Sequence, residues 1–312
     1  MKSKIGIVAI LAGVIASPVA LGLSCGETLT RDTTLTEDLT DCPDTGLLVT
    51  GGTGMVIDLN GHTISGAKGN NSAGVMIVES KGVKVIGGTI TGFSSGVAVN
   101  DSRYVTVENL DLDNLGEGVY LLKARSSKVI HSRFKSNFTG VAMDSEGTAS
   151  GNEVLNNDFI GNSSAVLLRQ SNDNRVSHNT FRNNTGAIGL TSSSANEVVG
   201  NGIYDNVNGI SISQEDAAAA GANSNLIQGN KLYNNNLGLI LYVPPGHANY
   251  NKYNHIERNA FRGGVTGVDI GGLRNYRTIV RGNSFYAMTD RAVDDRGTRT
   301  ELSANSCSDS SC

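Results

Sequence analysis

The sequence predicts an all-β fold: a right-handed, single-stranded parallel β-helix, or solenoid, of about ten coils with disulfide-tied ends. Three observations predict it. First, a bulky apolar residue recurs at Ile64, Ile90, Leu112, Phe134, Phe159, Phe181, Ile203, Leu232, Phe261 and Phe285, in steps of 22 to 29 residues. Second, two further apolar columns accompany it. One runs five residues ahead, from Val85 and Val107 to Ile256 and Val280; the other runs seven or eight behind, from Val97 and Val119 to Val268 and Val293. Third, 39 glycines, 4 prolines, no tryptophan and only 17% charged residues suit many short strands and tight turns. Three alternating apolar strands per turn follow the strand period, and one such turn cannot bury its own core, so the turns must stack.

The elements follow in order. Residues 1–24 read as a signal peptide: Lys2 and Lys4 precede the uncharged apolar run from Ile5 to Ala16, and small residues around Ala20, Gly22 and Ser24 offer a cleavage site. The run is short for a membrane span, so no span is expected in the mature chain. Cys25 directly after it raises lipidation, but Gly22 stands where that signal normally carries leucine. Residues 25–50 form an N-terminal cap with a disulfide, 51–300 the β-helix, and 301–312 a C-terminal tail with a disulfide. The four cysteines pair most simply as Cys25–Cys42 and Cys307–Cys312, one staple at each end. A metal site is the alternative, without a histidine beside them at ligand spacing. A net charge of -4 argues against nucleic acid as a partner.

Asparagines recur on the same period. Asn157, Asn179, Asn201, Asn230, Asn259 and Asn283 come two residues before the first apolar column. Asn152, Asn174, Asn196, Asn225 and Asn254 come seven before it, and Asn137, Asn162, Asn184, Asn206 and Asn235 three after it. Asparagine tolerates left-handed turns and bonds nearby backbone, so stacked structural ladders are expected rather than a ligand site.

At these residues the chain resembles a known group. Asn174-Arg-Val-Ser-His-Asn-Thr-Phe181, Asn196-Glu-Val-Val-Gly-Asn-Gly-Ile203 and the opening Ile57-Asp-Leu-Asn-Gly-His-Thr-Ile64 are similar to repeats of the NosD-like family and pectate-lyase-like proteins. The resemblance covers roughly residues 26 to 300 and is specific for fold rather than activity, because this fold hosts lyases, glycosidases, epimerases, esterases, tailspikes and non-catalytic proteins. It implies that the Asn157 column is the corner between the second and third sheets. It also implies that the column starting at Val75 is the first sheet, whose exterior carries the substrate groove in sugar-acting relatives. The two longest insertions, Gln214 to Ser224 and Val243 to Tyr253, both follow first-sheet strands, as loops that wall a binding face would.

The outward columns of that sheet hold the candidate chemistry. Asp144 and Arg169 occupy adjacent turns, with Lys123 one turn earlier. Two cations beside a carboxylate could hold an acidic sugar and lower the cost of removing its C5 proton. Asn100, Asp101 and Tyr120 nearby, and Ser213 and Tyr242 further along, are the expected sugar-binding residues. A plain surface ion pair is the competing reading. Toward the C-terminus, Asp269 and the pair Asp294-Asp295 fall in successive turns in an order similar to polygalacturonases, which would make them acid and base of a glycoside hydrolase. The Gly-His-Gly and Arg-x-Lys that follow in those enzymes are absent, and Arg291, Arg296 and Arg299 make a capping salt network the stronger reading. His131 and His178 share a column two turns apart, about 9.6 Å, too far for one metal, and read as corner residues. The third-sheet exterior, from Asp111 and Arg133 to Tyr233, Arg262 and Tyr286, reads as a solvated face, with a carbohydrate-stacking tyrosine row as the alternative.

The expectation is a secreted, periplasmic or cell-surface monomer. It binds a polysaccharide or other glycan along its first sheet and processes it in the manner of a lyase or epimerase on acidic sugars. The alternatives are a non-catalytic NosD-like or adhesin-like binding or structural protein, and a glycoside hydrolase. Calcium is the cofactor an acidic-sugar lyase would recruit, though the sequence offers no dedicated carboxylate cage.

Overall fold

The computed structural model describes residues 22–67, 72–146, 150–215 and 219–308. Most of the export segment, residues 1–21, and Cys312 lie outside the described residues.

The chain winds as a parallel β-solenoid. One sheet of twelve strands, the first sheet, runs from Glu27–Thr28 to Arg291–Asp295. That gives about 11 turns rather than ten. The additional turn arises because Glu27–Thr28 already pairs with Leu47–Thr50, ahead of the residue at which the apolar columns become regular. The second and third sheets follow in each coil, as in Glu153–Leu155 and Asp158–Ile160. Their corner is one left-handed residue per coil, among them Asn109, His131, Asn156 and His178 at φ 55°, 50°, 57° and 56°. His131 and His178 are thus corner residues.

Every apolar column lies in register. Val107, Val129, Val154 and Val176 pair coil on coil and are buried. Phe134, Phe159 and Phe181 stack face to face at 4.6 and 4.9 Å inside the rod, and Phe261 and Phe285 at 4.9 Å further along. The glycine beside this stack is a matter of space: a Cβ on Gly140 would lie 2.5 Å from the Ala165 carbonyl and 2.8 Å from the Phe159 ring.

The asparagines form buried ladders. The backbone N–H of Asn157 donates to Asn179 Oδ1 at 2.8 Å, and that of Asn179 to Asn201 Oδ1 at 2.9 Å. Most of the Nδ2 groups in turn donate to a backbone carbonyl of the preceding coils, as Asn179 does to Val154 O at 2.9 Å. Corners lack the partners that a strand finds in its neighbour, and the amides supply them. At the ends, Cys25 is bonded to Cys42, and Cys307 is also disulfide-bonded.

Candidate functional site

The first-sheet exterior carries its polar residues where the strand period places them. Asn100, Leu122, Asp144, Arg169, Thr191, Ser213 and Tyr242 pair successively in one column. Tyr120 pairs with Ala142 in the neighbouring outward column. Asp144 and Arg169 are therefore one coil apart, whereas Ser213 and Tyr242 lie three and four coils beyond Asp144, roughly 14 and 19 Å at the strand spacing. Tyr120, Lys123, Asp144 and Arg169 form one cluster; Ser213 and Tyr242 do not join it.

Lys123 leaves the strand in a left-handed turn, φ 51°, and its N–H donates to the Asp144 carbonyl at 2.8 Å. Its ammonium pairs with Glu146 at 3.0 Å, and Arg169 pairs with Glu215 at 3.2 Å. Both cations of the cluster thus meet carboxylates other than Asp144. The hydrogen bond and charge of Glu146 hold the Lys123 pKa above its ordinary value, so this ammonium keeps its proton and acts as a fixed charge. Burial, then the carboxylates of Asp144 and Glu117, push the Tyr120 phenol up. The phenol is therefore a proton donor rather than a base. Asp144 Oδ1 accepts a long 3.4 Å bond from the Glu146 N–H. Beside this group, Asn100 Oδ1 is buried without a hydrogen-bond partner among the described residues, and Asp101 sits in a left-handed turn at φ 46°.

Sequence reasoning missed Glu146, Glu215 and a basic row. Lys81, Arg103 and Arg125 pair coil on coil in the turn after the first sheet. With Lys123 they edge a cavity of about 420 Å³, which Glu79 and Asp101 share. None of Lys81, Arg103 and Arg125 enters an ion pair among the described residues. The signal was available: all three recur at a step of 22 residues.

The C-terminal carboxylates are bound together. Arg296 bridges Asp269 at 2.6 Å and Asp294 at 3.3 Å, and Arg291 holds Asp294 at 2.9 Å. Asp295 falls in the inward column, opposite Ile270, and accepts from Gly297 N and Thr300 Oγ1 at 2.9 and 3.0 Å. On the third sheet, Arg182, Tyr204, Tyr233, Arg262 and Tyr286 make a single exterior column.

A parallel β-solenoid with polar columns along one exterior sheet defines the class of protein. The chain belongs to the NosD family, described as periplasmic copper-binding proteins, which matches residues 47–239 and 147–287. No curated protein matches. Among solved structures, a double mutant of the periplasmic alginate epimerase AlgG is similar at TM-score 0.63 and 13% identity, covering 90% of this chain and 76% of that one. The Dettilon tailspike protein is similar at TM-score 0.59 and 13% identity over 90% of this chain, which spans 62% of the tailspike's length. An alginate lyase from a Paenibacillus species aligns at TM-score 0.53 and 11% identity, over 89% and 97% of the two chains. At these identities the likeness is one of fold.

The family description makes copper a question for these residues, and they do not fit it. Among the described residues no three His, Cys, Asp or Glu side chains converge as a metal site, calcium's carboxylate ligands included. Cys25, Cys42 and Cys307 are all disulfide-bonded. His131 faces Glu108 at 3.6 Å and Asn156 at 3.4 Å, with His178 a further coil away.

Proposed function

We propose that this chain is an exported β-solenoid that holds an acidic polysaccharide along the exterior of its first sheet and the turn that follows. The observation that carries this reading is the basic row Lys81, Arg103 and Arg125 beside Lys123, three of its four cations free of ion pairs among the described residues. A repeated cation at about 4.8 Å matches a polymer that presents repeated anions, and Arg suits carboxylate and sulfate geometry. Membership of a periplasmic family and a disulfide support an exported site of action. Solenoids that act on alginate support a polysaccharide as ligand at the level of fold. A non-catalytic NosD-like role satisfies the same binding geometry.

A second reading, lyase or epimerase chemistry, is favoured by the placement of Tyr120 beside Asp144 with Lys123 and Arg169 around them. Asp144 would take the C5 proton of a uronate. The two cations would stabilise the charge that develops on its carboxylate. The Tyr120 phenol would return a proton, either to the leaving glycosidic oxygen or to the opposite face of C5. The hydrolase alternative has less support, because Arg296 ties Asp269 and Asp294 into one ion network.

The test is turnover on a panel of polyuronates and neutral polysaccharides, following unsaturated products and new reducing ends. Under the catalytic reading, Asp144→Ala and Arg169→Ala each lower turnover by a factor of at least roughly 100 with the melting temperature unchanged. Binding of polyuronate without turnover leaves the first reading and sinks the second. Absence of binding to any acidic chain sinks both.

A further inference from the structure

The turn column that begins with Lys81, Arg103 and Arg125 does not stop there. Backbone bonds from the residues just after it carry the column on through Ser150, Asn172, Ser194, Asn223, Lys252, Tyr276 and Thr298. Ser126 N donates to Ser150 O, Asp173 N to Ser194 O, Ala195 N to Asn223 O, Ser224 N to Lys252 O and Tyr253 N to Tyr276 O. No member of the column is acidic. Its middle is a neutral ladder. Ser194 N donates to Asn172 Oδ1 at 2.7 Å, Asn223 N to Ser194 Oγ at 3.0 Å, and Lys252 N to Asn223 Oδ1 at 2.8 Å.

Its far end is cationic again. Lys252 and Arg274 lie over the Tyr250 ring at 5.4 and 5.8 Å. Arg277 and Arg299 lie over Tyr276 at 5.4 and 5.5 Å. None of these four cations enters an ion pair with a carboxylate among the described residues. The wall beneath them is fixed, since strands Asn251–Lys252 and Asn275–Tyr276 pair and the buried Asn251 Nδ2 donates to Asn275 Oδ1 at 3.1 Å. Guanidinium groups held beside rings, with Arg299 Nη1 also donating to the Tyr276 hydroxyl at 2.8 Å, are positioned before any anion arrives, and their remaining N–H groups can meet one.

We infer that the turn edge of the first sheet is a two-ended track for an acidic polysaccharide lying along the rod axis. Cations at Lys81, Arg103 and Arg125 grip one end, those at Lys252, Arg277 and Arg299 grip the other, and a neutral spacer separates them. Lys81 and Lys252 are seven coils apart, roughly 34 Å at the strand spacing. A chain long enough to reach both ends binds as a bivalent ligand, with the second contact intramolecular. A membrane surface is the weaker candidate, because among the described residues the only strongly exposed aliphatic side chain beside the far cluster is Leu273. The inference rests on the proposed reading for the nature of the anion and goes beyond it in geometry.

The experiment is calorimetric binding of alginate oligosaccharides of increasing length to the full chain, to Arg103→Gln/Arg125→Gln and to Arg277→Gln/Arg299→Gln. Anionic phosphatidylglycerol vesicles are run in parallel, and melting curves check that the variants fold. The expected result is an affinity gain of roughly a hundredfold once the chain exceeds the span, abolished by either double variant, while short chains still bind the intact end. Affinity that shows no step with length, or long-chain affinity untouched by Arg277→Gln/Arg299→Gln, overturns the two-ended track while leaving the proposed function in place. Binding to vesicles but to no oligosaccharide overturns both.

Discussion

The coils before residue 135 and those after residue 150 solve the same corners with opposite chemistry. In the earlier coils the corner positions are apolar and buried: Val83 and Val105, Leu110, and Phe93 and Leu115. In the later coils the equivalent positions are Asn152, Asn157 and Asn162 and their successors. One coil joins the two regimes. Val105 N donates to Ser127 Oγ, Leu110 N to Ser132 Oγ and Leu115 N to Asn137 Oδ1, at 3.1, 3.1 and 3.0 Å. The same three residues then donate their own N–H groups to Asn152, Asn157 and Asn162. Apolar corners widen the core, whereas amide corners trade that area for satisfied backbone. The asparagine columns are thus a way of turning the chain, their amides bonded to buried backbone groups, while other residues face solvent on the turn edge.

Breaking one amide should cost most. Asn179→Leu removes the bonds to Asn157 N–H, Val154 O and Asn201 Oδ1 and leaves buried groups unpaired, a loss of about 3 kcal/mol or more in denaturant unfolding. Leu110→Ala, in the apolar regime, opens a cavity worth about 2–3 kcal/mol. If Asn179→Leu proves the milder of the two, the amides are replaceable and the contrast between the regimes fails. A smaller effect concerns pH. Burial alone would raise the Glu257 carboxyl, but hydrogen bonds from Arg281 and His255 outweigh it and hold the pKa below its ordinary value. Its contribution is therefore complete above the unfolded pKa, about 4.3, and is lost as pH falls through the depressed folded value. Glu257→Gln should flatten the acid limb of stability by about 1 kcal/mol, read from melting curves between about pH 3 and 7; an unchanged limb contradicts the assignment.

The rod was legible in the sequence because its signal is repeated at each coil. The columns from Val107 to Val176 and from Asn100 to Tyr242 pair residue for residue as the period requires. The partners of the candidate site were not. Glu215 reaches Arg169 and Gln170 from an insertion 45 residues beyond Gln170, and no period announces such a contact. Glu146 was closer to hand, two residues after Asp144, but its direction depends on a left-handed turn at φ 50° that spacing does not reveal. The track along the turn edge went unread for another reason: its members alternate between cations, serine and asparagine, so no single residue type marks it.

The tyrosines stand on different faces of the rod, so hydroxyl-radical footprinting with a long polyuronate oligosaccharide reports which face the polymer covers. Tyr120 and Tyr242 stand on the first sheet, Tyr104 and Tyr253 at the two ends of the turn edge, and Tyr204, Tyr233 and Tyr286 on the third sheet. A polymer bound along the first sheet and its turn edge should protect Tyr104, Tyr242 and Tyr253 from oxidation and leave Tyr204, Tyr233 and Tyr286 as reactive as in the free protein. Protection confined to the third-sheet tyrosines would contradict that placement.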